Sequence, residues 1–374
     1  MAPALACLAL GMALGAGEPR ALLGPIRWDA WHTPWSRVKP GSPDGPVAAM
    51  VASLGPQRYH WRLPFFAQVV DDEHVRIDGY TQEIVDREIA FARAGGLDYF
   101  AFLLYAPDSP MSQGLALYLS SARKADLPFC AIASPPTFGG RDVFAQGVAR
   151  VVKLMREPSY LRVAGGRPLL YLFDVNDKWI AAWGGLGALR PLFDGLRRAA
   201  RDAGCGDPYL VVADSRPEHG KQVLDAVGAQ ALTAYATQRN GAHAPYADLT
   251  RDARAFWERC AATGAEVVPI AMSGWDRRPR AERPVPWESS WQKPGANVDR
   301  YYQTPTPEQL ADHLAEAAQW AADRPRQCPA EAVLVYAWNE HDEGGWLCPT
   351  LNADGTANDE RLRALARRLG RRPG

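Results

Sequence analysis

Four ionisable side chains stand together in one short stretch, Glu340, His341, Asp342 and Glu343, with Trp338 and Asn339 before them and Gly344-Gly345 after. Two carboxyl groups beside one bond can divide acid–base work. One gives a proton to a leaving oxygen, and the other meets a developing cation or acts as nucleophile, the minimum equipment for cleaving a glycosidic bond. Glu340 and Glu343 are the pair on offer. Three residues apart on an extended strand they would face opposite ways, so pairing them needs a turn after Glu340, and the Gly-Gly break can supply it. Strand parity places Trp338 with Glu340, as a floor to the site. The plainer alternatives are a solvated loop for the whole stretch and turn capping for Glu343. His341-Asp342-Glu343 is set aside as a metal site, because three adjacent side chains rarely converge on one ion.

Such a stretch needs a strand to deliver it. Ala332 to Ala337 is a short apolar run of the kind buried on both faces. Similar runs precede it at Leu23 to Trp28, Leu97 to Tyr105, Phe129 to Ala133, Pro168 to Phe173, Tyr209 to Ala213, Ala231 to Tyr235 and Val267 to Met272. Helical patterns separate them. Thr81 to Gly95 has an N-cap at Thr81, with Ile84, Val85, Ile89 and Ala92 on one face. Further helices are expected at Ser112 to Lys124, Asp142 to Arg156, Leu186 to Ala203, Gln222 to Val227, Leu249 to Ala262, Pro307 to Ala322 and Asp359 to Leu369. Strict alternation implies a parallel sheet, and eight repeats over this length predict a single-domain (β/α)₈ TIM barrel spanning residues 21–374. An open doubly wound sheet would need a glycine-rich loop after its first strand, and Asp29-Ala-Trp-His32 has no glycine. Two connections are long. Thr33 to Gly79 carries a hairpin, Leu63 to Val70 and Val75 to Ile77 around Asp71 to His74, and Ser273 to Thr306 follows the seventh strand.

In a barrel the C-terminal strand ends meet at one mouth. Those ends carry Asp29, Trp31 and His32, then Tyr105 and Asp108, Asp174 and Asp177, Asp214, Tyr235, Trp275 and Asp276, and finally Trp338 to Glu343. Arg280 follows in the long loop, where it could brace a carboxylate or reach a hydroxyl. This mouth is acidic and aromatic, which suits an oligosaccharide or polysaccharide, since flat rings pack against the C–H faces of sugars. Glu340 and Glu343 are the candidate catalytic residues. Trp31, His32, Tyr105, Tyr235, Trp275, Asp276, Arg280, Trp338 and Asn339 are the candidate binding residues. The 42 Lys and Arg balance the 42 Asp and Glu, with no basic patch for nucleic acid. No GxSxG or HExxH motif points to another hydrolase chemistry, and no cofactor or metal is expected.

Ala2 to Ala16 is apolar and small, like the h-region of an export signal, although no Lys or Arg precedes it. It is too short for a comfortable membrane span. Residues 1–20 are therefore read as a signal peptide or an irregular N-terminus. The expected location is periplasmic or secreted, with cytoplasmic as the alternative. Cys328 and Cys348 bracket the last strand and could pair in an exported protein; buried free thiols are the alternative.

Trp338-Asn339-Glu340-x-x-Glu343-Gly344 resembles the signature of glycoside hydrolase family 99 and its larger relatives, some encoded with bacterial surface-polysaccharide genes. Ser273-Gly-Trp-Asp276 with Arg280 is similar to a segment that precedes that signature, and Asp86-x-Glu88-Ile89 with Gly95-Gly96-Leu97-Asp98-Tyr99 is similar to the family's first helix and second strand. The resemblance implies a (β/α)₈ barrel that cleaves glycans with retention, notably at internal α-mannosidic links. It implies that an ionised Glu340 assists the substrate's 2-hydroxyl and that a proton-bearing Glu343 serves as acid and then base. His341-Asp342 stand where the family usually has tryptophan and histidine, a departure that bears on the substrate. The alternative reading is a carbohydrate-binding or polysaccharide-biosynthesis protein without hydrolytic activity. In either case Trp275, Asp276 and Arg280 should face the glutamates.

Overall fold

Residues 20–38, 45–239, 242–288 and 292–371 are described by the computed structural model. The Ala2 to Ala16 segment, Cys7 and Trp291 lie outside them. The apolar runs form parallel strands: β1 Leu22–Arg27, β2 Phe100–Leu103, β3 Phe129–Ala133, β4 Arg167–Phe173, β5 Tyr209–Ala213, β6 Ala231–Thr233, β7 in two pieces (Glu266–Val267 and Ile270–Met272), and β8 Ala332–Tyr336. Each pairs with the next in sequence, and β1 pairs with β8. Closure happens at β7, whose first piece pairs with β6 and whose second pairs with β8. Between the pieces, the Val268 amide donates to Leu232 at 3.0 Å and the Pro269 carbonyl accepts from Leu334 at 2.9 Å. Pro269 has no amide hydrogen, which interrupts the ladder without opening the ring. The expected (β/α)₈ barrel thus closes through the two pieces of β7, which leaves no unpaired barrel strand among the described residues.

β3, β5 and β8 are buried along their whole length, as strands covered by helices outside and side chains inside must be. Tyr99 fills the interior. Its hydroxyl donates to the Val333 carbonyl at 2.8 Å and meets the Tyr171 hydroxyl at 3.0 Å. Gly24 makes room for it, since a Cβ there would lie 2.1 Å from the Tyr99 ring.

The outer helices include Gln82–Ala94, Gln113–Ser120, Phe144–Met155, Leu186–Asp202, Pro217–Val227, Tyr246–Ala262, Pro307–Ala322 and Glu360–Arg368. Thr81 caps the first by accepting from the Ile84 amide, as its position predicts. The helix expected from Gln222 starts five residues earlier, at Pro217, a residue pre-set for the first helical turn. No helix among the described residues is long and apolar enough to cross a membrane.

The connection after β1 folds over the barrel as a small second core. It contains helix Gly45–Ser53, a 3₁₀ segment Gln57–Arg62 and a hairpin of Ala67–Val69 with Val75–Ile77. Met50, Leu54, Tyr59 and Val285 pack there against Trp31. The cysteine pairing considered above is not formed, because Cys328 and Cys348 are both buried free thiols. Cys328 precedes β8, whereas the Cys348 amide bonds to the Trp338 carbonyl beyond the strand's other end. A five-residue strand keeps the two too far apart for a disulfide.

Candidate active site

β8 stops at Tyr336, and the next residues form a tight hairpin. Asn339–Glu340 pairs antiparallel with Gly345–Trp346 around a 3₁₀ turn at His341–Glu343. Gly344 closes that turn at φ +83°, and a Cβ on it would lie 2.3 Å from the Asp276 nitrogen. Gly274 is similarly constrained, 2.2 Å from the Gly344 oxygen at its own Cβ position. Backbones this close admit only glycine. The contact lets the Asp276 amide donate to the Glu343 carbonyl at 2.7 Å, fastening the β7 loop to the β8 turn.

That loop delivers Arg280, on the short helix Arg278–Glu282. Its Nε donates to Asp342 Oδ2 at 2.7 Å, its Nη1 donates to Glu343 Oε1, and its Nη2 lies 3.7 Å from Glu340 Oε2. One guanidinium, 4% exposed, faces four carboxylates, the fourth being Glu288, 3.5 Å from Nη1. The rings of Trp28 and Trp287 lie 4.8 and 5.5 Å from its centre, close enough for cation–π attraction. Arg277 adds a second cation 3.2 Å from Glu343. Each glutamate also has its own tyrosine. Tyr235 donates to Glu340 Oε1 at 2.8 Å, and Tyr336 donates to Glu343 Oε2.

The two glutamates are driven apart electrostatically. Burial, followed by the charge of Glu343, raises the Glu340 pKa well above the usual carboxylate range, and Arg280 offsets this only in part. Burial acts the same way on Glu343, but there Arg280, Arg277 and the Tyr336 hydroxyl outweigh it and hold the pKa below the usual value. Burial also raises Asp342, against the pull of Arg280. The surroundings therefore favour the proton on Glu340 and the charge on Glu343, the reverse of what the family resemblance implies. The cause is geometric: Arg280 bonds directly to Glu343 and stands off from Glu340. Glu340 Oε2, Asp342 Oδ1 and Arg280 Nη2 have no hydrogen-bond partner.

Of the expected binding residues, Tyr235, Trp275, Tyr105 and Arg280 gather around this cluster. Tyr235 stacks on Phe173 at 4.6 Å, and Trp275 packs on Tyr336 at 5.4 Å. Burial and then the Glu340 charge raise the Tyr105 hydroxyl. Asp276 turns its carboxylate away, to Arg62 and Arg278. Trp31, His32, Trp338 and Asn339 are supports outside the mouth. Trp31 is fully buried and donates its indole N–H to the Asn339 carbonyl at 2.6 Å. The Asn339 side chain bonds both backbone groups of Trp28, at 2.8 and 3.0 Å. His32 bonds Glu88 at 2.9 Å. Trp338 donates to Glu88 at 2.8 Å and packs on Phe100, so it is not the floor of the site. Parity misplaced it because strand pairing ends two residues earlier.

Three buried residues had no place in the sequence reading of the site. Arg27 and Glu88 are paired at 2.9 Å behind the strands. Arg62 binds Asp276, and its carbonyl accepts from His341 Nδ1 at 2.7 Å. Burial pushes the His341 pKa down to about 3, so its ring is a neutral spacer here. Glu88 did carry a legible signal, a charge on the apolar stripe of Val85, Ile89 and Ala92. Among the described residues, no group of three or more His, Cys, Asp or Glu side chains could hold a metal ion.

No protein-family model matches this chain, and no curated protein matches it. Among solved structures, the family 99 endo-α-mannosidase from Bacteroides thetaiotaomicron, in complex with bis-tris-propane, is similar. Its TM-score is 0.52 at 14% identity, over 79% of this chain and 86% of that one. A second structure of the enzyme gives a TM-score of 0.51 at 14% identity, over 79% and 84% of the two chains. At such identity the likeness is one of fold: both chains are built on the same barrel.

Proposed function

We propose that this chain is a glycoside hydrolase of the family 99 type, acting on an oligosaccharide or polysaccharide, with Glu340 and Glu343 as its working pair. The observation that carries the reading is the placement of two glutamates against one arginine at the C-terminal end of a barrel strand, each with its own tyrosine, where their pKa values are driven in opposite directions. Acid and base roles are assigned by environments that push two pKa values apart. Glu340, proton-bearing, gives its proton to the glycosidic oxygen. Glu343, ionised and held by Arg280 and Tyr336, faces the charge that develops at the anomeric carbon. Family resemblance supports the pair but distributes the roles the other way. The tryptophans and tyrosines around Arg280 supply apolar faces for sugar rings.

Gln variants assayed on two substrates separate these assignments. Each should lower cleavage of an unactivated glycan by roughly 10²–10⁴-fold. The acid variant should recover on an aryl glycoside whose leaving group needs no proton. Recovery of Glu340→Gln fits the electrostatics, and recovery of Glu343→Gln fits the family's order. Wild-type rates for both on ordinary substrate would sink the pair altogether. Mannans and bacterial polysaccharides are the substrates to screen first.

One observation favours the reading without hydrolysis. Glu340 and Glu343 are only 3% and 9% exposed, with Arg280 against both. A protein that binds glycan in this state and turns over no substrate in the screen would have that function instead.

A further inference from the structure

The His341 ring stacks on Trp346, with centroids 5.8 Å apart and planes 18° from parallel. One ring beyond it lies a cavity of about 140 Å³, lined in part by Trp61, Trp346, Thr350, Asn358, Glu360 and Arg361. That is room for about four or five waters at liquid density. The Arg361 guanidinium covers the Trp346 ring at 3.8 Å, and its Nη1 donates to the Trp346 carbonyl at 2.7 Å. Arg27 and Arg280 are buried beside carboxylates that hold their charge firmly. Arg361 is different. It is half-buried beside the cavity, and burial pushes its pKa down to about 9; Tyr246, Arg62 and His341 are among its titratable neighbours, and Glu360 in the same lining makes no ion pair with it.

A half-buried guanidinium that stacks on a ring and bonds a carbonyl, with no paired anion, has room for one. A carboxylate in the cavity would supply the missing charge and match the planar fork of the arginine. Trp61 stands beside it, edge-on to Trp346 at 5.5 Å and still 46% exposed, with an apolar face for a ring. Thr350 and Asn358 add hydrogen-bonding groups to the lining.

We propose that this cavity binds an acidic sugar, a hexuronate residue of the glycan, with Arg361 on its carboxylate and Trp61 against its ring. The inference rests on the carbohydrate reading above and names the substrate class more closely. Glu360 is exposed in the same lining and opposes the carboxylate, so it sets how tightly the site can hold one.

Calorimetric titration of the full chain with trigalacturonate, maltotriose and sodium sulfate tests this. Trigalacturonate should bind at least tenfold more tightly than maltotriose. Arg361→Met should weaken it at least tenfold, and Glu360→Gln should tighten it two- to fivefold. Glu360 is exposed, so its variant keeps the test alive if Arg361→Met fails to fold. Equal binding of acidic and neutral sugars, or no response to either variant, overturns the inference. Sulfate binding as tight as trigalacturonate also overturns it, by making the cavity a simple anion site. Hydrolysis of neutral glycans without uronate binding refutes this inference alone. Uronate binding without turnover of any glycan refutes the hydrolase reading alone.

Discussion

Glu88 and Glu340 are both buried glutamates within reach of an arginine, and their protons go opposite ways. Glu88 lies behind β1 and β2, where burial is outweighed by Arg27, His32 and the Trp338 indole, and its pKa falls to about 2. Glu340 lies at the mouth, where burial and the Glu343 charge win and its pKa rises. Burial is common to both, so the balance of neighbouring charge decides. Behind the strands, one arginine and one histidine face Glu88 and Asp29. The polar atoms left unbonded there are the nitrogens Arg27 Nη1 and His32 Nδ1. At the mouth, Arg280 and Arg277 face four carboxylates, Glu288, Glu340, Asp342 and Glu343, and the unbonded atoms include two carboxylate oxygens. The first cluster matches each carboxylate with basic side chains and locks the helix Gln82–Ala94 to the barrel. The second holds excess negative charge, which raises the Glu340 pKa.

Removing the arginines should give the largest contrast. Arg27→Met strands Glu88 and Asp29 without their guanidinium, and breaking a buried pair costs about 3–5 kcal/mol. Its melting temperature should fall sharply, with turnover per folded molecule unchanged. Arg280→Met should abolish turnover. Arg280 is buried, so the near-constant melting temperature that a flap residue would give is not expected. Without Arg280, the folded-state pKa values of Asp342 and Glu343 rise, and a raised carboxylate pKa makes stability fall as pH rises. The melting loss of Arg280→Met should therefore be larger at pH 8 than at pH 5. Normal turnover in Arg280→Met would mean that both clusters are merely structural.

Glu→Gln at the two positions should differ in sign. The Glu88 pKa drops from 4.5 to about 2 on folding, worth about 3 kcal/mol of stability. A depressed pKa contributes fully above the unfolded value and is lost as pH falls through the folded one, here between about pH 5 and pH 2. Glu88→Gln should destabilise at neutral pH and flatten that acid limb. Glu340 has a raised pKa, so its contribution falls as pH climbs past the unfolded value. Glu340→Gln keeps an acceptor for Tyr235 and removes that loss, so it should be neutral or stabilising near pH 8. Chemical denaturation across pH checks both. The same sign for the two variants would erase the distinction.

The barrel was legible because its strands are continuous apolar runs, and such runs need no knowledge of their partners. The turn at Gly344-Gly345 was legible because glycine marks it. The ion pairs were not, since Arg27 and Glu88 stand 61 residues apart, and Arg27 lay inside the run Leu23 to Trp28 with nothing to mark its partner. Arg62 was hidden for another reason: the 3₁₀ segment Gln57–Arg62 has no helical or strand period to show which side is inward. Arg280 was suspected as a brace, but a spacing of 60 residues from Glu340 could not say that it would bond Glu343 and leave Glu340 the proton. Trp338 failed by a rule applied too far, because alternation holds only while the strand is paired.

Trp338 gives the smallest and most discriminating test, because it belongs to the motif by sequence and to the rear cluster by contact. Its indole N–H is one of the groups that hold Glu88 ionised. Trp338→Phe keeps a ring against Phe100 and removes that one donor. A hydrogen bond to a charged group is worth about 1.5–3 kcal/mol, and part of it returns if Cys348 Sγ, already 3.9 Å from the same oxygen, moves closer. The Glu88 pKa should rise toward its unfolded value, so the variant should begin to unfold at higher pH on acidification while keeping wild-type turnover at neutral pH. Acid titration followed by circular dichroism, alongside a glycan assay, measures both. A collapse of turnover with an unchanged acid midpoint would return Trp338 to the mouth and undo the division between the two clusters.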